Sequence, residues 1–155
     1  MLFSTLDSTT RKLNLSESIE ASISDTVGFI EKLPHQHIAA FRSTLEEVIK
    51  ADLLLVIVDI SNPNYERQII SVKKVLDELK VKDKEIHLVF NKIDLIKNKI
   101  KINDVKIKYR NASFISAKKH INLEELLRNI VNISSSNDIC VIAEIPYDES
   151  GFESQ

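Results

Sequence analysis

Apolar positions along this chain fall into short continuous runs separated by stripes of helical period. Leu53-Leu-Leu-Val-Ile-Val58 is an unbroken apolar run closed by Asp59, the pattern of a strand covered on both faces, as in a parallel sheet. Ile86-His-Leu-Val-Phe90 closes in the same way on Asn91, and Ala112-Ser-Phe-Ile-Ser116 is a third such stretch. Ile19-Glu-Ala-Ser-Ile-Ser24 alternates as a half-buried strand does and stops at Asp25. Ile139-Cys-Val-Ile-Ala-Glu-Ile145 predicts one more strand after the linker-like Ser134-Ser-Ser-Asn137. Three helical faces lie between: Ile38, Phe41, Leu45 and Val48; Ile69, Val72, Leu76 and Leu79; and Leu123, Leu126, Leu127 and Ile130. Ser61-Asn-Pro63 reads as the start signal of the second helix. Asn122, with Glu125 three residues on, reads as the capped start of the third. Residues 97–110 carry only a weak period, and the polar stretch 1–18 predicts a loop or an edge strand.

Strands alternating with helices predict an α/β fold, a three-layer and mainly parallel sheet. In such sheets ligands bind at the carboxyl ends of the strands. That rule singles out Asp25, Asp59, Asn91 and Ser116 before any motif is considered.

Composition narrows the chemistry. The chain has 155 residues, enough for one domain with a proper core. Lys+Arg 21 against Asp+Glu 23 excludes a protein that grips nucleic acid by bulk charge alone. The single cysteine, Cys140, excludes an internal disulfide and a cysteine-based zinc site. No apolar run is long enough to span a membrane, and a cytoplasmic setting is expected. The most informative count is glycine, with only Gly28 and Gly151. Dinucleotide fingerprints and Walker A loops both need several glycines close together, so these 155 residues contain neither.

The strand-end residues sit in patterns suited to a guanine nucleotide. Asn91-Lys-Ile-Asp94 follows a buried strand. A carboxylate at Asp94 can accept hydrogen bonds from guanine N1–H and the exocyclic amine, a pair of donors that adenine does not present. Lys92 can lay its methylenes along a purine face, and Asn91 can tie neighbouring loops together. Ser116-Ala117-Lys118 follows the next strand and offers a backbone N–H for guanine O6. Asp25-Thr26-Val27-Gly28 places a carboxylate at a strand end, fit to hold a magnesium-bound water. The glycine three residues on lets backbone N–H approach a terminal phosphate closely.

Taken together, Phe3-Ser-Thr-Leu-Asp-Ser-Thr-Thr-Arg11, Asp25-Thr-Val-Gly-Phe-Ile30, Leu33-Pro-His-Gln36 and Ala40-Phe-Arg-Ser-Thr-Leu-Glu-Glu47 resemble the HflX family of translational GTPases. Ala51-Asp-Leu-Leu-Leu55, Asn91-Lys-Ile-Asp94 and Ser116-Ala-Lys118 continue the resemblance. It implies a P-loop NTPase-like G domain that binds GTP or GDP with Mg2+, hydrolyses GTP and works on the large ribosomal subunit. It makes Thr5 the switch I magnesium ligand, and Asp25 and Gly28 parts of switch II. Asn91, Lys92 and Asp94 become the guanine readers, with Ser116 to Lys118 completing the base pocket. In that family the phosphate-binding loop and an N-terminal domain come ahead of the stretch resembling Phe3 onward. The expectation is therefore a partial G domain over 1–133 whose first, central strand is not in this sequence. Residues 134–155 are then a linker and the opening of a small C-terminal domain. A phosphate cradle contributes charge-assisted hydrogen bonds worth roughly 1.5–3 kcal/mol each, so nucleotide binding without one is expected to be weak. A separate polypeptide carrying the N-terminal half is one expected partner, and a non-catalytic binding module is the alternative role. Phe29 stands where Ras-like enzymes use a water-orienting glutamine, so the catalytic group is not assigned. His35 and His37 are read as exposed, Arg11 as either a switch I contact to phosphate or a solvated residue, and His87 as structural. The five lysines of 97–108 form a solvated face or a meeting surface for ribosomal RNA.

Overall fold

The computed structural model describes residues 9–16, 19–25, 48–78, 80–81, 84–134 and 138–144. Expectations for Thr5, Thr26, Val27, Gly28, Phe29, His35 and His37 lie outside these residues, as does most of the helix expected from Ile38. Its last turn is described, with Val48 buried.

Six strands form one sheet in the order β1-β2-β6-β3-β4-β5. They are β1 (Thr9–Ser16), β2 (Ile19–Asp25), β3 (Leu53–Asp59), β4 (Glu85–Asn91), β5 (Ser113–Phe114) and β6 (Asp138–Glu144). The β1–β2 pair is antiparallel and every other pairing is parallel. The polar N-terminal stretch thus supplies the edge strand, where one row of backbone groups faces solvent. β3 is buried along nearly its whole length, as its apolar run requires, because helices cover both faces.

Helix α1 (Tyr65–Glu78) lies on one face. Its Tyr65, Ile69, Val72 and Leu76 join Leu54, Val56 and Val58 of β3 and Phe90 of β4 in one core cluster. Helix α2 (Lys99–Lys108) contributes Val105 to that cluster and exposes most of the rest, which explains its weak sequence period. Phe90 anchors the layer: Phe114 stacks on it at 5.0 Å between centroids, and Tyr65 meets it edge-on at 5.8 Å. Helix α3 (Leu123–Ile133) covers the opposite face with Leu126 and Ile130, packed with Leu53, Leu55, Val89 and Val141.

Three details depart from the sequence expectations. Asn122 does not cap α3 through its side chain: it sits at φ 58°, and its amide Nδ2 donates instead to the Phe114 carbonyl at 2.8 Å. The stretch Ala112–Ser116 pairs as a strand over only two residues, because the chain turns at once into the Ser116–Ile121 bridge. Most consequential is β6. Residues 134–155 were expected to form a linker and the opening of a small C-terminal domain. Instead residues 138–144 lie between β2 and β3, parallel to both, with Val141 fully buried. The physical reason is that two adjacent open parallel edges offer two rows of main-chain hydrogen bonds to any apolar extended segment within reach.

His87 bears out the structural expectation. It is buried on β4, and its Nε2 meets the Ser113 hydroxyl at 2.8 Å. Asn129 of α3 donates to the same hydroxyl oxygen at 3.0 Å. The Ser113 hydroxyl can donate to or accept from the ring nitrogen, according to the imidazole tautomer. Burial lowers the His87 pKa against a weaker upward pull from Glu85. A depressed histidine favours the folded state when neutral, so this contribution is complete above about pH 6.5 and is lost as pH falls below it. Urea unfolding midpoints measured between pH 5 and 8 (about the His range) are expected to fall on the acid side. His87→Gln is expected to flatten that slope.

Candidate functional site

Parallel pairing brings the strand ends to one edge. Asp59 at the end of β3 is in register with Asn91 at the end of β4, and the Ile60 N–H donates to the Asn91 carbonyl at 3.1 Å. β5 is held lower on the same edge by the Ile115 N–H donating to the Phe90 carbonyl at 2.8 Å. Asp25, at the end of β2, is exposed and lies in register with Ala143 of β6.

The Asn91 side chain fastens this edge. Its Oδ1 accepts from the Lys92 N–H at 2.7 Å and from the Ala117 N–H at 3.0 Å. One carboxamide oxygen thus joins the loop after β4 to the loop after β5. The Ile93 N–H adds a second tie by donating to the Ile115 carbonyl at 3.2 Å. Lys92 takes a left-handed conformation, φ 65°, which a non-glycine residue adopts only at a cost of roughly 1–2 kcal/mol. The turn sends the chain into a short 3₁₀ helix, Ile93–Leu95, with the half-buried Asp94 in its first turn.

Lys92 also crosses to the neighbouring strand end, where its Nζ meets Asp59 Oδ2 at 2.5 Å. Asp59 Oδ1 accepts from both the N–H and the hydroxyl of Ser61. Burial works to raise the Asp59 pKa, but the hydrogen bonds from Lys92 and Ser61 prevail and hold the carboxyl below its ordinary range. The partners flank a side chain still a quarter exposed, so the pair serves to position Lys92 more than to stabilise the fold.

In the second loop Ser116 is fully buried and exchanges backbone hydrogen bonds with Ile121, at 3.1 and 3.0 Å. Its hydroxyl oxygen accepts from the Lys119 N–H at 3.1 Å. Ala117 and Lys118 are exposed at the tip. The Ser116 and Ala117 N–H groups are thus committed inside the protein, and among the described residues the N–H of the exposed Lys118 has no protein acceptor.

The structure therefore gathers Asn91, Lys92, Asp94, Ser116, Ala117 and Lys118 into one continuous edge. Asp25 stands on the same edge beyond β6. Sequence reading picked out Asp59 only as a strand end. Its pairing with Lys92, 33 residues away in the chain, carried no local signal. Among the described residues no group of three His, Cys, Asp or Glu side chains is placed to hold a metal ion. A lone carboxylate such as Asp25 suits an ion that arrives on a ligand's phosphates and keeps most of its waters.

The mean cost of the left-handed turn can be read directly. Lys92→Ala and Lys92→Gly both remove the ammonium, but only glycine accepts φ 65° freely. Lys92→Gly is expected to be about 1 kcal/mol more stable than Lys92→Ala in chemical denaturation. Equal stability of the two would contradict the conformation.

Residues 1–92 match the family model described as "50S ribosome-binding GTPase". The chain is similar to curated proteins named GTPase HflX. It is 46% identical to the one from Caldanaerobacter subterraneus over 129 residues, which is 83% of this chain and 29% of the relative. It is 41% identical to the one from Lacrimispora saccharolytica, covering 97% of this chain and 35% of the relative. The Chlamydia pneumoniae protein is 36% identical over 97% of this chain and 32% of its own length. The chain thus spans about a third or less of these relatives. Among solved structures, a variant of Era from Aquifex aeolicus bound to GDP·AlF4− matches with a TM-score of 0.57 and 22% identity. That match covers 92% of this chain and 48% of the other, and shows the P-loop GTPase fold.

Proposed function

The chain belongs to the 50S ribosome-binding GTPase family and is an HflX-type member, and on that premise we propose that its carboxyl edge is a guanine-nucleotide site. The observation that supports this most is the Asn91 bridge, which holds the Asp94 loop and the Ser116–Lys118 loop at a fixed separation. Between them a planar base meets a carboxylate on one side and the Lys118 N–H on the other. Asp94 accepts from guanine N1–H and the exocyclic amine, and the Lys118 N–H donates to O6. Adenine reverses the donor at its six-position and offers no N1–H, so the same edge rejects it. Lys92, drawn toward Asp59, lays its methylenes against the purine face.

The phosphates extend from the base toward β2. Asp25 would hold a water of a Mg2+ ion carried by the nucleotide, with Thr5 and residues 26–28 as further contacts by family resemblance. The ion neutralises charge on the phosphate oxygens when bound. The whole-protein activity is hydrolysis of GTP on the large ribosomal subunit, in the cytoplasm. The lysines of α2 are one surface for ribosomal RNA. Residues 1–133 together with 138–144 act as the nucleotide-binding unit, and the segment after residue 144 leads toward a further domain. A second reading is binding without turnover. The glycine content favours it for these 155 residues on their own, because only Gly28 and Gly151 are present and no glycine-rich cradle can form from them.

Two measurements test this reading. In NMR spectra of the chain, millimolar GDP is expected to shift the Asp94, Ala117 and Lys118 amides, and ADP is expected to leave them in place. Asp94→Asn is expected to weaken the GDP response by roughly tenfold or more, since each hydrogen bond to a charged group is worth about 1.5–3 kcal/mol. Equal responses to GDP and ADP contradict the base reading. GTP turnover by these 155 residues is expected to be far below that of the Caldanaerobacter relative. Comparable turnover contradicts the second reading.

A further inference from the structure

We infer that the apolar cavity between α1, β4 and the chain just after α2 is a ligand site for a small anionic amphiphile, an apolar chain or ring that ends in one carboxylate. The cavity lies on the α1 face of the sheet, away from the carboxyl edge, and is independent of the guanine reading.

It arises from a mismatch of lengths. β5 pairs with β4 only at Val89 and Phe90, and α2 ends at Lys108. Tyr109 then packs against Phe90, with ring centroids 5.1 Å apart. The chain therefore returns to the sheet at the level of Phe90. Side chains alternate along a strand, so Ile86 and Leu88 share the face of Phe90 but lie below the end of α2. Ile86 is left 40% exposed although β4 is an inner strand.

The resulting cavity has a volume of about 540 Å3, within the range of small-molecule pockets. Val56 of β3 and Leu88 of β4 form its floor. Val72 and Leu76 of α1 line one side, and residues 107–112 the other. Ile107 lines it while 66% exposed. Apolar surface of this kind is wetted when the cavity is empty, and an apolar ligand body recovers the cost.

Charge selects the other end of the ligand. Lys73, Lys108 and Arg110 line the same cavity, and among the described residues no Asp or Glu does. Lys108 is engaged by Glu66 at 2.8 Å. Lys73 and Arg110 are exposed, and neither has an ion-pair partner among the described residues. A carboxylate at the mouth meets both cations, and a guanidinium can grip it with two parallel hydrogen bonds. An ammonium in the same place is repelled.

The test titrates the 155-residue chain with decanoate below its micelle concentration and follows backbone amides by NMR. Saturable shifts are expected at Val72, Leu88 and Ala112, with the Asp94 and Lys118 amides unmoved. Octanoate is expected to bind about 15-fold more weakly, near fourfold for each buried CH2 lost. Decylammonium is expected to give no saturable shift. Arg110→Gln and Lys73→Gln are each expected to weaken decanoate binding by about two- to fivefold, the scale of an exposed ion pair. Absence of saturable shifts at the three cavity amides overturns the proposal. Equal affinity for decanoate and decylammonium overturns it by showing a cavity indifferent to charge. Equal affinity for decanoate and octanoate overturns it by showing that the chain is not buried. Binding to phosphatidylglycerol vesicles while free decanoate is ignored overturns it in favour of a membrane surface. The probe series needs no variant, so it decides the proposal even where a substituted chain does not fold.

Discussion

A single carboxamide oxygen organises the functional edge of this molecule. Asn91 stands at the last position of β4, where the sheet ends and two loops have to be aimed. By accepting from the Lys92 and Ala117 N–H groups it holds the first loop in a left-handed turn and binds the second to it. The strained φ at Lys92 persists because its surroundings over-determine it: the Asn91 bond at the backbone, the Asp59 contact at the ammonium and the 3₁₀ turn that follows. Strain held in this way is economical at a recognition site, since the loops need not be ordered again when a ligand enters.

Much of the fold was legible because burial on two faces leaves an unambiguous mark. The six apolar residues Leu53–Val58 could only be a central strand, and the alternation of Ile19–Ser24 fits a strand nearer the edge. The strand ends Asp59, Asn91 and Ser116 could be named in advance, because parallel sheets present their ligand edge at carboxyl ends. Local signals failed where a tertiary partner took over. Asn122 has the residue type and spacing of a helix cap, yet the Phe114 carbonyl claims its amide. The Lys92–Asp59 contact joins residues from adjacent strands, and no spacing rule encodes it.

The position of β6 shows the limit most clearly. Its apolar pattern announced a strand and said nothing of its neighbours, because parallel pairing is made by the main chain and not by side-chain identity. A stretch expected to leave the domain instead sits at its centre, where it contributes Val141 to the core. Sheet completion and site completion are thus separable. Burial and main-chain pairing place β6 between β2 and β3, and its sequence carries none of the glycines that a phosphate loop needs.

The most direct test of the central claim is the guanine imino proton. With isotope-labelled GDP in excess over the chain, a hydrogen bond from N1–H to Asp94 is predicted to protect that proton from solvent exchange and move it downfield, with cross-relaxation to the Lys118 amide. An imino proton that exchanges as it does in free GDP, under conditions where the nucleotide is demonstrably bound, would contradict the account.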